Sequence, residues 1–171
     1  RIYSSPLKRA VETAVLMTEK SESEIIKDDR LIEFSFGKAE GKTPDERNED
    51  PELKDFHFFF DEPEKYVALE DAESFESVIK RTAAFWEDEI KPLEKTGIQN
   101  ILVVTHGGTM QSLLLHIDGR SLKDYWKTKM ANCTINKIVL ENGCFRLEYT
   151  GKVFYREDKS KKSADGFFSN H

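Results

Sequence analysis

Apolar positions recur along the chain with two different periods, and the switches between them outline an architecture. Residues 1–4 (Arg-Ile-Tyr-Ser) read as a short strand, with Ser5 as N-cap and Pro6 opening a helix that runs to about Glu19. Leu7, Ala10, Val11, Ala14 and Val15 make its apolar stripe, which leaves Arg9 off the stripe near the helix start. A short extended piece is predicted around Ile25–Ile32, followed by a loop punctuated by Gly37 and Gly41. Ser74 caps a long helix whose stripe is Phe75, Val78, Ile79, Thr82, Trp86 and Ile90, with Pro92 near its end. Residues 100–105 then form a mostly apolar, β-branched run, the pattern of a strand buried on both faces of a parallel sheet. His106-Gly107-Gly108 follows at once, then helices over Thr109–Ile117 and near Leu122–Met130.

The last element is a hairpin turning at Asn142-Gly143, a strong two-residue turn signal. Its register pairs Leu140 with Phe145, Ile138 with Leu147 and Asn136 with Tyr149 on a core face. Val139 with Arg146 and Lys137 with Glu148 fall on the wetter face. Cys144 faces Glu141 and Cys133 faces Lys152 in this register, too far apart for the roughly 7 Å a disulfide allows. Two free thiols favour a reducing, cytoplasmic setting. Strands alternating with helices and closing on a hairpin give an α/β fold: three layers, α/β/α, a mostly parallel sheet with an antiparallel edge hairpin.

Length and charge narrow the functional classes. The 171 residues, 38% hydrophobic, suffice for one domain with a true core, so neither disulfides nor a metal is needed for stability. With 26 Lys+Arg against 32 Asp+Glu the net charge is −6, which argues against nucleic acid and anionic membrane as partners. The apolar runs fall far short of the roughly 20 residues that span a bilayer. Residues 1–156 are read as the domain and 157–171 as a polar, loose tail. Residues 43–72 are acidic and hold the aromatic run Phe56, Phe58, Phe59 and Phe60; they read as an excursion with short helices. The chain opens on Arg1 rather than Met, as if in mid-domain.

Three places could carry chemistry. His106 leaves the carboxyl end of a parallel strand, where open α/β sheets bind ligands, and the helix after it offers unpaired N–H groups to an anion. That position favours it over His57, His116 and His171, although a polar residue closing a strand before two glycines is the plainer reading. Arg9, in the first turn of its helix, leans toward the same sheet edge and suits bidentate contact with phosphate; the alternative is a solvated surface arginine. Glu33 lies among apolar side chains in Leu31-Ile32-Glu33-Phe34, which would raise the pKa of a general acid by desolvation. Spacing alone does not distinguish it from the other acids.

Taken in order, Tyr3-Ser4-Ser5-Pro6-Leu7-Lys8-Arg9-Ala10, Leu31-Ile32-Glu33 with Gly37 and Glu40-Gly41, Glu73-Ser74-Phe75 and Val104-Thr105-His106-Gly107-Gly108 resemble the histidine phosphatase, or phosphoglycerate mutase-like, superfamily. The resemblance covers about residues 1–155. It implies a metal- and cofactor-free phosphatase that hydrolyses a small-molecule phosphate monoester through phosphohistidine. By the same resemblance Arg9, His106 and Gly107 bind the phosphoryl group, His106 stabilises transition-state charge and Glu33 gives a proton to the leaving alcohol. The family's Arg-His-Gly motif, which carries the nucleophile, occurs nowhere in the chain, so the nucleophile is expected upstream of Arg1. A non-catalytic phosphoester-binding protein, an inactive fragment and a phosphoglycerate mutase remain as alternatives. Residues 43–72 correspond to the family's variable lid, where Phe56, Phe58, Phe59, Phe60 and Tyr66 serve either as the lid's own core or as an apolar mouth for the alcohol.

Overall fold

In the computed structural model, residues 1–155 are described. The reading of 157–171 as a tail falls outside them. Strand β1 (Ile2–Ser4) pairs in parallel with β2 (Ile26–Lys27) on one side and β3 (Leu102–Val104) on the other, giving the order β2-β1-β3. Alternation along these strands sorts the side chains into two layers. Ile2, Leu102 and Val104 pack with Ala10, Ala14 and Val15 of helix α1 (Lys8–Thr18). Tyr3 and Val103 point the other way, toward Phe85 of α4 (Phe75–Phe85), Trp86 and Leu113 of α5 (Gly107–Asp118). The sheet is thus covered on both faces, as the apolar run 100–105 requires, and the Trp86 indole N–H donates to the Leu113 carbonyl at 3.0 Å.

Several elements differ in detail from the sequence reading. Helix α1 starts at Lys8 with Leu7 as N-cap, not at Pro6. The parallel pairing continues one residue past β1, where the Ser5 N–H donates to the Val104 carbonyl, so the chain is still extended at the expected cap. The predicted extended piece shortens to β2 and a 3-10 turn over Asp29–Leu31. Ser74 does cap α4, its hydroxyl accepting from the Ser77 N–H. The stripe beyond it passes through a π turn (Trp86–Ile90) into a 3-10 turn (Lys91–Thr96) instead of one continuous helix. Pro92, which has no N–H and crowds the preceding turn, sits where that regularity fails. The helix near 122–130 reduces to a 3-10 turn over Leu122–Asp124.

Residues 43–72 form short helices, α2 (Pro44–Glu49) and α3 (Phe58–Asp61), with a 3-10 turn at Pro63–Lys65. Strands β4 (Ile135–Glu141) and β5 (Cys144–Lys152) make the hairpin, with Leu140–Phe145, Val139–Arg146, Ile138–Leu147 and Glu141–Cys144 paired as read. Further out the register slips: Tyr149 faces Lys137 rather than Asn136, and Lys152 faces Ile135 rather than Cys133. The Asn136 side chain accepts from the Gly151 N–H at 2.9 Å and the Thr150 hydroxyl at 2.6 Å, which takes this residue out of the ladder. The Lys137–Glu148 ion pair survives the slip at 2.9 Å. Ile138, Leu140 and Phe145 pack on the Tyr3–Phe85–Leu113 core, but the hairpin is a separate sheet, and among the described residues β3 pairs only with β1. Both cysteines are free and exposed. No described helix is long and apolar enough to cross a membrane.

Candidate active site

The three candidates selected from the sequence meet at the start of α5. His106 is the N-cap of that helix, in extended conformation at the end of β3. The Arg9 Nε–H donates to its Nδ1 at 3.2 Å, so the sequence-predicted lean of Arg9 toward this edge is realised. An imidazole that accepts at Nδ1 carries its proton on Nε2, and that N–H donates to the Ser5 hydroxyl at 2.7 Å. Ser5 is fully buried and is an orienting partner of His106, a role hidden behind its reading as a helix cap. Burial first, then the positive charges of Arg9 and Arg81, hold the His106 pKa down to about 4. The ring is therefore neutral at pH 7.

Glu33 reaches α5 from the loop after β2. Its Oε1 accepts the N–H groups of Thr109 at 3.0 Å and Phe34 at 3.1 Å, while Oε2 accepts the Gly108 N–H at 3.1 Å. The carboxylate thus takes two of the helix's first unpaired amides, where it also meets the positive end of the helix dipole. The surroundings expected to be apolar are, around the carboxylate itself, a set of backbone donors. The Thr109 hydroxyl donates to the Ile32 carbonyl at 2.6 Å and lies 3.2 Å from Oε1, so Oε2 is the less occupied oxygen. Gly108 has to be glycine for this approach: a Cβ there would lie 2.8 Å from the Phe34 ring and 2.9 Å from Oε1. Tyr125, completely buried, donates to the Gly108 carbonyl at 2.8 Å and meets the Ser112 hydroxyl, and burial pushes its phenol pKa up.

A second support lies under the Glu33 loop. Glu73, present in the sequence motifs without an assigned role, forms a bidentate pair with Arg81 at 2.9 and 3.0 Å and accepts the Ser35 N–H at 3.3 Å. Arg81 also donates to the Arg30 carbonyl at 2.6 Å. The segment carrying Glu33 is therefore tied down on both sides, at residues 30 and 35. Arg81 sits two turns after the Ser74 cap, a helical spacing from Glu73 that the sequence shows but that carries no signal by itself.

A cavity of about 440 Å³ opens beside this corner. Arg9, Glu33 and Gly108 line it together with Phe36, Glu40, Phe60 and Trp126. Gly107 opens α5 next to His106, and Gly108 is the glycine on the cavity wall. His106 is not among the lining residues and meets the cavity's Arg9 through its Nδ1. Of the aromatic run, Phe56 and Phe59 are core, Phe59 being 1% exposed, and Phe59 and Phe60 are among the residues lining the cavity. Lys8 is a surface residue, paired with Glu12.

An α/β sheet ending in a histidine–glycine–glycine helix start, with an arginine and a glutamate brought onto it from distant segments, defines the class of site: a polar corner at the carboxyl end of a parallel strand. Residues 1–152 match the family model of the histidine phosphatase superfamily (branch 1), and the chain belongs to that family. Phosphoserine phosphatase 1 from Hydrogenobacter thermophilus is 35% identical over 141 residues, which are 82% of this chain and 64% of that protein. Among solved structures, YhfR from Bacillus stearothermophilus superposes with a TM-score of 0.75 at 27% identity, over 90% of this chain and 74% of that one. A phosphoserine phosphatase mutant from Entamoeba histolytica in complex with phosphoserine gives 0.66 at 26% identity, over 88% and 72%. The chain thus spans about two thirds to three quarters of these relatives.

Proposed function

We propose that this chain carries the phosphate clamp and proton donor of a metal-independent phosphatase that hydrolyses a small-molecule phosphate monoester through phosphohistidine. The observation that carries the reading is the convergence of Arg9, His106 and Glu33, far apart in sequence, at the start of α5, with Arg9 and Glu33 lining one cavity. The names of the relatives, two of them phosphoserine phosphatases, support a monoester as substrate. The nucleophilic histidine is expected on a segment ahead of Arg1; the outer edge of β3, unpaired among the described residues and running directly into His106, offers such a segment backbone partners.

In this reading the Arg9 guanidinium turns from the imidazole to two phosphoryl oxygens, and the incoming anion raises the His106 pKa. His106 then donates toward the transferring phosphoryl group, held in place through Ser5. Glu33, after taking up a proton at Oε2, the oxygen with fewer donors, passes it to the departing alkoxide, and the carboxylate so formed takes a proton from the water that attacks the phosphoenzyme. The test, made on protein that also carries the proposed nucleophile segment, is hydrolysis of an aryl phosphate with a chelator present, together with acid-labile, base-stable labelling of protein. Arg9→Ala and His106→Ala are each expected to reduce turnover by about 100-fold or more. Activity abolished by the chelator would overturn the reading, as would binding of phosphate esters with no turnover and no labelling. Transfer to an acceptor exceeding release to water would mark a mutase.

A further inference from the structure

The reading above leaves the alcohol half of the ester undefined, and the inference that follows rests on it. The cavity wall next to the clamp combines one carboxylate with three aromatic side chains. Glu40 is exposed, and its Oε1 is fixed by the Phe36 N–H at 2.8 Å. No lysine, arginine or histidine lies within ion-pair distance of it among the described residues. Phe36, Phe60 and Trp126, each half-buried, line the same space. The indole N–H of Trp126 donates to the Phe59 carbonyl at 2.6 Å, and Phe60 packs on that indole with centroids 5.6 Å apart. Carboxylate and rings are therefore in position before any ligand arrives, which lowers the entropic cost of binding.

Charge decides what fits there. Arg9 is the only cationic residue among the described residues lining the cavity, and in the proposed function the phosphate takes it. Of the two lining carboxylates, Glu33 is committed to the amides of α5, whereas Glu40 has a single backbone donor. An alcohol bearing a carboxylate would face Glu40 with no compensating cation among the described lining residues. An alcohol bearing an ammonium group would meet a carboxylate and the negative faces of aromatic rings, the combination that retains organic cations.

We propose that the cavity selects phosphate monoesters of amino alcohols, including their quaternary ammonium derivatives, with the cationic head held by Glu40, Phe36, Phe60 and Trp126. Calorimetric titration of the full chain with inorganic phosphate, phosphocholine, 3,3-dimethylbutyl phosphate and phosphoserine tests this. The dimethylbutyl ester has the shape of phosphocholine without its positive charge. Phosphocholine is expected to bind at least about tenfold more tightly than the neutral ester and more tightly than phosphoserine. Glu40→Gln, whose amide oxygen still accepts from Phe36, is expected to shrink the tenfold gap to about threefold or less. Equal affinities of the charged and neutral esters, or tightest binding of phosphoserine, would overturn the ammonium site while leaving the phosphate clamp standing. A gap unchanged by Glu40→Gln would overturn the part given to Glu40. Failure of all four compounds, inorganic phosphate included, would bring down the phosphate reading and this inference with it.

Discussion

The corner at the start of α5 and the aromatic wall beside it line one cavity but are held by different forces. In the corner, the functional side chains have directional partners: Ser5 and Arg9 for His106, the Phe34, Gly108 and Thr109 amides for Glu33. The wall is held mostly by ring contacts, with the bond from the Trp126 indole to the Phe59 carbonyl as a directional tie. Phe59 alone touches Phe34, Phe36, Phe56, Phe75 and Trp126, with centroids between 4.8 and 5.8 Å. A hydrogen-bonded corner fixes atoms where chemistry needs them and fails when one donor moves. A packed wall fixes volume and polarity, and one ring can replace another at small cost. On the proposed function, catalytic geometry would reside in the first and substrate choice in the second.

The largest effect should come from the wall. Phe59→Ala removes a ring that is 1% exposed from the centre of the aromatic cluster and is expected to cost about 3–5 kcal/mol, read from urea unfolding. Phosphate affinity of the folded protein should change by less than about threefold, because the clamp shares no hydrogen bond with Phe59. A loss below about 1 kcal/mol, or a collapse of phosphate binding in folded protein, would show that the two regions are not separable in this way.

Gly108→Ala strikes the corner instead. The added methyl meets the Phe34 ring and Glu33 Oε1 inside contact distance, so an overpacking cost of about 1–3 kcal/mol is expected. The specific mark is local: with Glu33 displaced, the Gly108-position and Thr109 amides lose their acceptor, and their hydrogen exchange should accelerate by about tenfold beyond the global change. Exchange that tracks global stability alone would mean that Glu33 follows the shift and keeps its bonds.

The same division explains what the sequence made legible. Periodicity placed β1, β3, the stripe of α1 and the hairpin tip, because each is settled by neighbours near in sequence or by burial of a whole face. The corner was legible as a set of residues, since Arg9, Glu33 and His106 stand in ordered motifs, but its wiring was not. Ser-Pro signals a helix start whether or not the serine caps it, and at Ser5 the partner lies 101 residues away. Tyr125 and Trp126 sit in a segment read as helix, yet their polar tips bind the Gly108 and Phe59 carbonyls, and these long-range bonds override local pattern. Asn136 slips the hairpin register through its own side chain, a choice that alternation of apolar residues cannot register.

The smallest effect and the most local one is the titration of His106. Its imidazole, at about 6.5 when unperturbed, is held near 4 in the fold, mainly by burial and then by Arg9 and Arg81. Between those values the unfolded chain takes up a proton that the folded chain refuses, so acidification through this window shifts the balance toward unfolding. Above about 6.5 the ring is neutral in both states and contributes no pH dependence. Wild type compared with His106→Gln should therefore show a stability difference that is flat at neutral pH and moves against the wild type as pH falls from about 6.5 to 4. Nuclear magnetic resonance of the ring gives the direct reading, with a midpoint near 4 that climbs when inorganic phosphate is added, since a bound anion favours the imidazolium. A midpoint near 6.5 without phosphate would mean that the ring is open to water and that Arg9 does not rest against it. A midpoint that phosphate fails to raise would place the anion elsewhere and separate His106 from the clamp.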